Sequence, residues 1–298
     1  MSRLLPALAL LLAGCGGSEP ARVAQGDRPT IVSLNPCTDA VLAEVAGPGQ
    51  LLAISHYSKD PRSSSMDARD AARFAATGGT VEEVLALDPD VVVAGSFLAP
   101  ATRAALEDFG VDVVTFDIAR DVAASEAQVR ELAALAGDPQ AGEALVARIE
   151  RALRATAPGA AEPVEVLLWQ PGGIVAGEQE LVSDLLRRTG FANVAPARGL
   201  GQADYVALEE VVAAPPRVLL VAGSEAGQRH PVLDRLPRMR RESFDASLLY
   251  CGGPTIIRAA ERLAEIRKSV SPREGGGRNR QALRPTDGGP RLRGGSGS

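Results

Sequence analysis

Soft metal ligands and aromatic rings with a polar handle are scarce in this 298-residue chain: three cysteines, two histidines, three tyrosines and one tryptophan. Hydrolytic chemistry needs a nucleophile with a base to activate it, and only His56 and His230 could serve as that base. No Gly-x-Ser-x-Gly elbow, His-Glu-x-x-His pair or phosphate-cradling loop accompanies them. The cysteines differ in setting. Cys15 follows Leu12-Ala13-Gly14 at the end of the apolar run from Leu4 to Leu11, behind the basic residue Arg3. That run is shorter than the ~20 apolar residues a bilayer span requires, and it has the anatomy of a cleaved export signal. Cleavage makes Cys15 the first mature residue and its thiol the acceptor for a diacylglyceryl group, and two or more acyl chains anchor a protein stably. The expectation is a lipoprotein signal over 1–14 and a protein tethered to a membrane outside the cytoplasm; an ordinary cleaved signal is the alternative.

Composition sets the ends apart from the middle. Residues 15–27 are small, polar and turn-forming, as a linker from an acyl anchor should be. Residues 271–298 hold glycine, proline and arginine with almost no apolar side chain, too little to offset ordering entropy. A disordered basic tail is expected, either simply solvated or touching anionic lipid heads. The formal net charge of −5, with no basic run in the central part, argues against a nucleic-acid partner.

Positioning elements are read from the alternation of apolar runs and helical patterns. Thr30 to Leu34, Leu51 to Ser55, Val91 to Ala94, Val111 to Phe116, Val164 to Trp169 and Val218 to Ala222 read as buried strands. Helical stretches include Ala40 to Val45, stopped by Gly47-Pro48-Gly49, and Glu180 to Thr189, ended by Gly190. Strand and helix in strict turn imply parallel sheets covered on both faces. The two halves also echo one another. Val81-Glu82-Glu83-Val84-Leu85-Ala86-Leu87-Asp88-Pro89-Asp90-Val91-Val92-Val93 matches Leu208-Glu209-Glu210-Val211-Val212-Ala213-Ala214-Pro215-Pro216-Arg217-Val218-Leu219-Leu220, a repeat of helix, proline turn and strand that predicts two similar α/β lobes. Between them, Asp138 can cap a helix with Pro139 at its first position, and Ala141, Leu145, Ile149 and Leu153 share one face. One helix of roughly 27 Å is expected there. The domain reading is an N-terminal lobe over 28–119, a helical segment over 120–157 and a C-terminal lobe over 158–270.

These elements, with Ile31-Val32-Ser33-Leu34-Asn35-Pro36-Cys37-Thr38-Asp39 at the start, Gly78-Gly79-Thr80 ahead of the repeat and Tyr250-Cys251-Gly252-Gly253-Pro254 before the last helix, carry a resemblance. From about Arg28 to Val270 the chain resembles the class III substrate-binding proteins of ABC importers, a family that includes binders of cobalamin, ferric siderophores and haem. The resemblance implies two Rossmann-like α/β lobes joined by one rigid helix, with the ligand cleft between them. It implies a monomeric, non-enzymatic periplasmic protein with no intrinsic cofactor, capturing a metal chelate for a membrane permease with a cytoplasmic ATPase. The chelate is expected to be cobalamin or another corrinoid, or a ferric siderophore, with haem as the alternative. A lipid-anchored scaffold or hydrolase is the reading from another class, and ligand titration separates them.

Residues follow from the same resemblance. Pro36, Cys37, Thr38, His56, Tyr57, Trp169, Gln170, Tyr250 and Cys251 are expected at the cleft, because ligands of open parallel sheets bind beyond the carboxyl ends of the strands. Glu82 and Glu209 are expected to dock onto permease arginines; solvated helix N-terminal carboxylates are the alternative. Trp169 has two readings, stacking on a planar chelate or core packing. His56 and Tyr57 are a metal-ligating pair or a hydrogen-bonding surface. Cys37 and Cys251 face opposite cleft walls and are bridged, free or in contact with the ligand.

Overall fold

The computed structural model describes residues 28–270, so the expected export signal, Cys15, the expected linker and the basic tail segment lie outside the described residues. Local capping decides where the first helix starts. Asn35 accepts a hydrogen bond from the Cys37 amide (2.8 Å) and Pro36 sits in the first turn, so α1 (Pro36–Val45) follows β1 (Ile31–Ser33) almost directly. It therefore begins four residues before the apolar pattern would start it. The chain continues through β2 (Leu51–Ser55), a 3-10 turn at His56–Lys59, α2 (Ala68–Ala71), β3 (Ala75–Thr77), α3 (Val81–Leu85), β4 (Val91–Gly95), α4 (Pro100–Asp108) and β5 (Asp112–Phe116). Two helices, α5 (Val122–Leu135) and α6 (Pro139–Thr156), precede the second half. That half comprises β6 (Val164–Trp169), α7 (Leu181–Arg188), β7 (Phe191–Asn193), α8 (Val194–Ala197), α9 (Leu208–Ala213), β8 (Val218–Val221), β9 (Arg240–Ser243) and α10 (Thr255–Val270).

Each half builds one parallel sheet, in the order β3-β2-β1-β4-β5 and β7-β6-β8-β9. Alternation along each strand sends side chains to two cores. Ile31, Ile54 and Val93 join one hydrophobic cluster while Val32, Ala53 and Val92 join another on the opposite face. In β6, Val164, Val166 and Leu168 face the first cluster, whereas Leu167 and Trp169 face a separate one with Val175, Val206, Val211 and Leu219.

The first cluster runs through both halves. It takes Val41 and Leu42 from α1, Val129 and Leu132 from α5, Leu145, Ile149 and Leu153 from α6, and Ile256, Leu263 and Ile266 from α10. Burial of such a side chain contributes roughly 1.5–3 kcal/mol, so the two lobes are held together by a continuous apolar body. Helix α6 is the segment between them in the chain. Asp138 accepts from the Ala141 amide (3.0 Å) at its start and pairs with Arg28 (3.0 Å). Among the described residues, no helix is long and apolar enough to cross a membrane.

Candidate functional site

Parallel strands end together, so the loops after β1, β4 and β5 meet on one edge of the first lobe and face the second across a cleft. Cys37, in the first turn of α1, is joined there to Cys251, just ahead of α10, by a disulfide with a Cα separation of 5.0 Å across 214 residues of sequence. Of the three readings open for this pair, the bridge is the one the structure contains. The neighbouring turn is seated by close packing. Gly253 has φ +57° and a Cβ there would come within 2.7 Å of Val41, and a Cβ on Gly252 would strike Ser125. The Gly253 amide donates to Ser125 Oγ (2.8 Å), the Tyr250 hydroxyl donates to the Arg62 carbonyl (2.9 Å), and Arg258 donates to the Ser65 carbonyl.

Beside the disulfide lies a cavity of about 210 Å³ walled by both lobes. Phe116, Leu181, Val182 and Leu249 make its apolar lining, and Phe97 and Ile118 stand at its mouth with 82 % and 65 % of their surface exposed. Polar groups share the lining. Asp117, Arg120 and Glu180 carry charge, and Asn35, Gln128, Gln179 and Gln202 present amides. Burial pushes the Glu180 carboxyl above its ordinary range. Gln128 spends its amide on the Asp117 carbonyl (2.6 Å), and Asn35 spends its carbonyl on capping α1.

The expected cleft residues divide. Cys37, Thr38, Tyr250 and Cys251 line the cavity, although the Thr38 hydroxyl is turned inward, 2.8 Å from Ser33 Oγ and donating to Asn35 O (3.0 Å). Pro36 shapes the start of α1 and does not reach the cavity lining. His56 and Tyr57 also lie outside it: their rings stack at 4.0 Å, and His56 Nδ1 faces Thr77 O at 3.3 Å. Among the described residues no cluster of three His, Cys, Asp or Glu could hold a metal ion. Trp169 is corrected from stacking platform to core residue. It is 3 % exposed and its indole N–H donates to Val206 O (2.8 Å). Gln170 beside it opens the 3-10 turn Pro171–Gly173, away from the cavity lining. Ile118, Arg120, Gln179 and Gln202 are among the lining residues sequence reasoning passed over, because they sit in loops whose meeting is set by the fold.

Asp39 lies beneath this edge, fully buried, accepting from the Ser55 amide (2.9 Å) and the Ser58 hydroxyl (2.6 Å) with no cation in contact. Its other oxygen, Oδ1, has no partner. Desolvation raises its pKa to about 7, against the hydrogen bonds from Ser58 and Ser55 that lower it. The sign of the linkage follows. Below the ordinary carboxylate range both folded and unfolded states are protonated; above it the unfolded chain releases its proton first, so stability falls as pH rises, until the folded carboxyl ionises near pH 7 and the penalty levels off. Asp39→Asn removes the charge. Its melting temperature should exceed wild type by roughly 5 °C or more at pH 8 and differ little at pH 4. Calorimetry at the two pH values checks this; an equal shift at both would mean that ionisation is not the cause.

Glu82 and Glu209 occupy the same place in α3 and α9, the second residue of a short helix whose N-terminus points to the cleft edge. Their neighbours are used locally. Glu83 accepts from the Gly78 amide (2.6 Å) and Thr77 Oγ1 (2.9 Å), and Glu210 from the Ala207 amide (2.8 Å), closing each helix start. Those bonds hold the Glu83 carboxyl below its ordinary range. Glu82 and Glu209 are exposed, and their carboxylates make no hydrogen bond or ion pair among the described residues.

Three comparisons bear on this arrangement. A family model described as periplasmic binding protein matches residues 31–241. No curated protein matches the chain in sequence. Solved structures match in fold at low identity. The periplasmic heme-binding protein RhuT from Roseiflexus sp. RS-1, in apo form, is 23 % identical with a TM-score of 0.65, covering 82 % of this chain and 98 % of that one. The periplasmic vitamin B12 binding protein BtuF of Vibrio cholerae is 16 % identical with a TM-score of 0.62, covering 81 % and 97 %. CeuE of Helicobacter pylori, with Ni(II) bound, is 17 % identical with a TM-score of 0.59, covering 80 % and 82 %.

Proposed function

Because the chain belongs to the periplasmic binding protein family, we propose that it is the capturing subunit of an ABC importer, binding a metal chelate between its lobes and handing it to the membrane permease. The observation that carries the ligand class is the cavity lining. Both cleft cysteines are consumed in the disulfide and His56 lies outside, so the protein offers no imidazole or thiol to a metal there. A chelate whose metal is already coordinatively complete needs none, and is held by its periphery.

Charge narrows the class further. One arginine against two carboxylates suits a neutral or cationic ligand whose edge bears amides, as a corrinoid's does, better than a polyanionic ferric siderophore, which arginines bind through charge-assisted bonds. The enclosed volume of about 210 Å³ is below the usual ligand-pocket range, so such a ligand would insert one edge and rest its apolar body on Phe97 and Ile118. A haem-binding reading rests on Tyr250, whose phenol could ligate iron only by giving up its hydrogen bond to the Arg62 carbonyl. Titration decides. With cyanocobalamin, a ferric siderophore and hemin offered separately, the corrinoid should bind without turnover at micromolar or lower Kd, an affinity of about 8 kcal/mol or more. Binding of hemin alone, with the spectrum of a tyrosinate-ligated iron, would transfer the assignment to haem; binding of none would remove the transport reading.

The partners follow from the same role. Glu82 and Glu209, twin carboxylates without partners on the cleft-bearing edge, are the docking groups for a two-fold permease. Cys15 is the lipid anchor that keeps the protein at the membrane in the periplasm.

A further inference from the structure

We propose that the Cys37–Cys251 bridge is a thiol–disulfide exchange site, opened reversibly in the folded protein by a protein dithiol, with Cys37 as the sulfur attacked. The proposal uses the cavity of the candidate site only as the route of approach. Both cysteines line that cavity, but Cys251 is almost fully buried while Cys37 is half-buried. A thiolate entering from the mouth therefore reaches Cys37 first. The first turn of α1, a ten-residue helix, holds Cys37 where the dipole lowers a thiol's pKa and so favours opening of the bridge, while access decides which sulfur is attacked.

The step balances as follows. The attacking thiolate bonds to Cys37 Sγ, the bond between Cys37 and Cys251 breaks, and Cys251 leaves as a thiolate that takes a proton from water. The partner's second thiol then attacks the mixed disulfide and releases Cys37. Two electrons and two protons pass to the pair, and the dithiol becomes a disulfide.

What distinguishes this bridge from one whose reduction unfolds the chain is the packing around it. The continuous apolar cluster and the contacts of Gly253 with Ser125, Tyr250 with Arg62 and Arg258 with Ser65 do not depend on the sulfurs. The reduced cysteines thus stay side by side, ready to re-form the bond. While it is open, these contacts still hold the turn before α10 to α5 and to the segment after β2, but its covalent tie to the turn after β1 is gone, and the cavity wall there is free to relax.

The test treats the wild-type protein with dithiothreitol in the absence of denaturant, alkylates it, and follows Cys37 and Cys251 by peptide mass spectrometry alongside near- and far-ultraviolet circular dichroism. Both cysteines should become alkylated while the spectra remain native, and oxidised glutathione should restore the bridge. With limiting reduced glutathione, the adduct should favour Cys37 over Cys251 on the order of tenfold. Alkylation that appears only as the spectra are lost, or an adduct found chiefly on Cys251, overturns the proposal. Ligand titration of the oxidised protein reads the cavity separately, so a failed transport reading leaves the exchange result standing.

Discussion

Replacing Cys37 and Cys251 together by serine is expected to lower the melting temperature by about 10–20 °C. The bridge closes a loop of 214 residues, and the chain-entropy relation assigns such a loop about 5 kcal/mol through restriction of the unfolded state. For a chain of this size each kcal/mol moves the transition by about 2–4 °C. The apolar cluster shared by α1, α5, α6 and α10 remains in the variant, so it should fold at room temperature with native circular dichroism. Two scans check the argument: wild type with and without reductant, and the double serine variant with and without it. Reductant should shift only the wild type. A difference below about 3 °C between the two oxidised proteins would place the stabilisation in packing and not in the cross-link.

Reversing both proposed docking carboxylates, Glu82→Lys with Glu209→Lys, is expected to reduce uptake to background in cells that depend on the protein. Two properties make this a clean test. Both side chains are exposed and unpaired among the described residues, and the capping at their helix starts is done by Glu83 and Glu210. A lysine near a helix N-terminus opposes the dipole by at most about 1 kcal/mol per site, so the melting temperature should fall by only a few degrees and ligand affinity should hold. Charges at the rim of an interface act on association rate and salt dependence. The contrasting pair, Glu83→Gln with Glu210→Gln, should lower stability and spare uptake. Normal uptake with the double reversal, or loss of ligand binding by the purified protein, would end the docking assignment.

The buried inner strands were readable from sequence because each is a continuous aliphatic run. Ile31-Val32, Val91-Val92-Val93 and Val218-Leu219-Leu220 are apolar on both faces, and both faces are covered. Three edge strands were not readable. Ala75–Thr77, Phe191–Asn193 and Arg240–Ser243 are three or four residues long, and the last is charged; they are strands because β2, β6 and β8 present ladders to them. Charge on an edge strand also discourages further pairing. Helix α6 was readable because its cap, its proline and its apolar face agree. At the site the signal was weaker. The cavity is made by loops after different strands, so Ile118, Arg120 and Gln202 had no pattern to announce them. Trp169 did have one. It lies two residues after Leu167 and so shares that residue's face, which is covered by the second lobe's own core.

That placement makes the protein's only tryptophan an optical probe of one region. Its indole is sealed from water and fixed by Val206, so its emission lies to the blue of a solvated indole and moves to the red when the core beneath β6 opens. A coloured macrocycle in the cleft would still dim it, by resonance transfer through space and not by touching. Fluorescence quenching therefore measures whether such a ligand is near, and is silent on which side chains hold it.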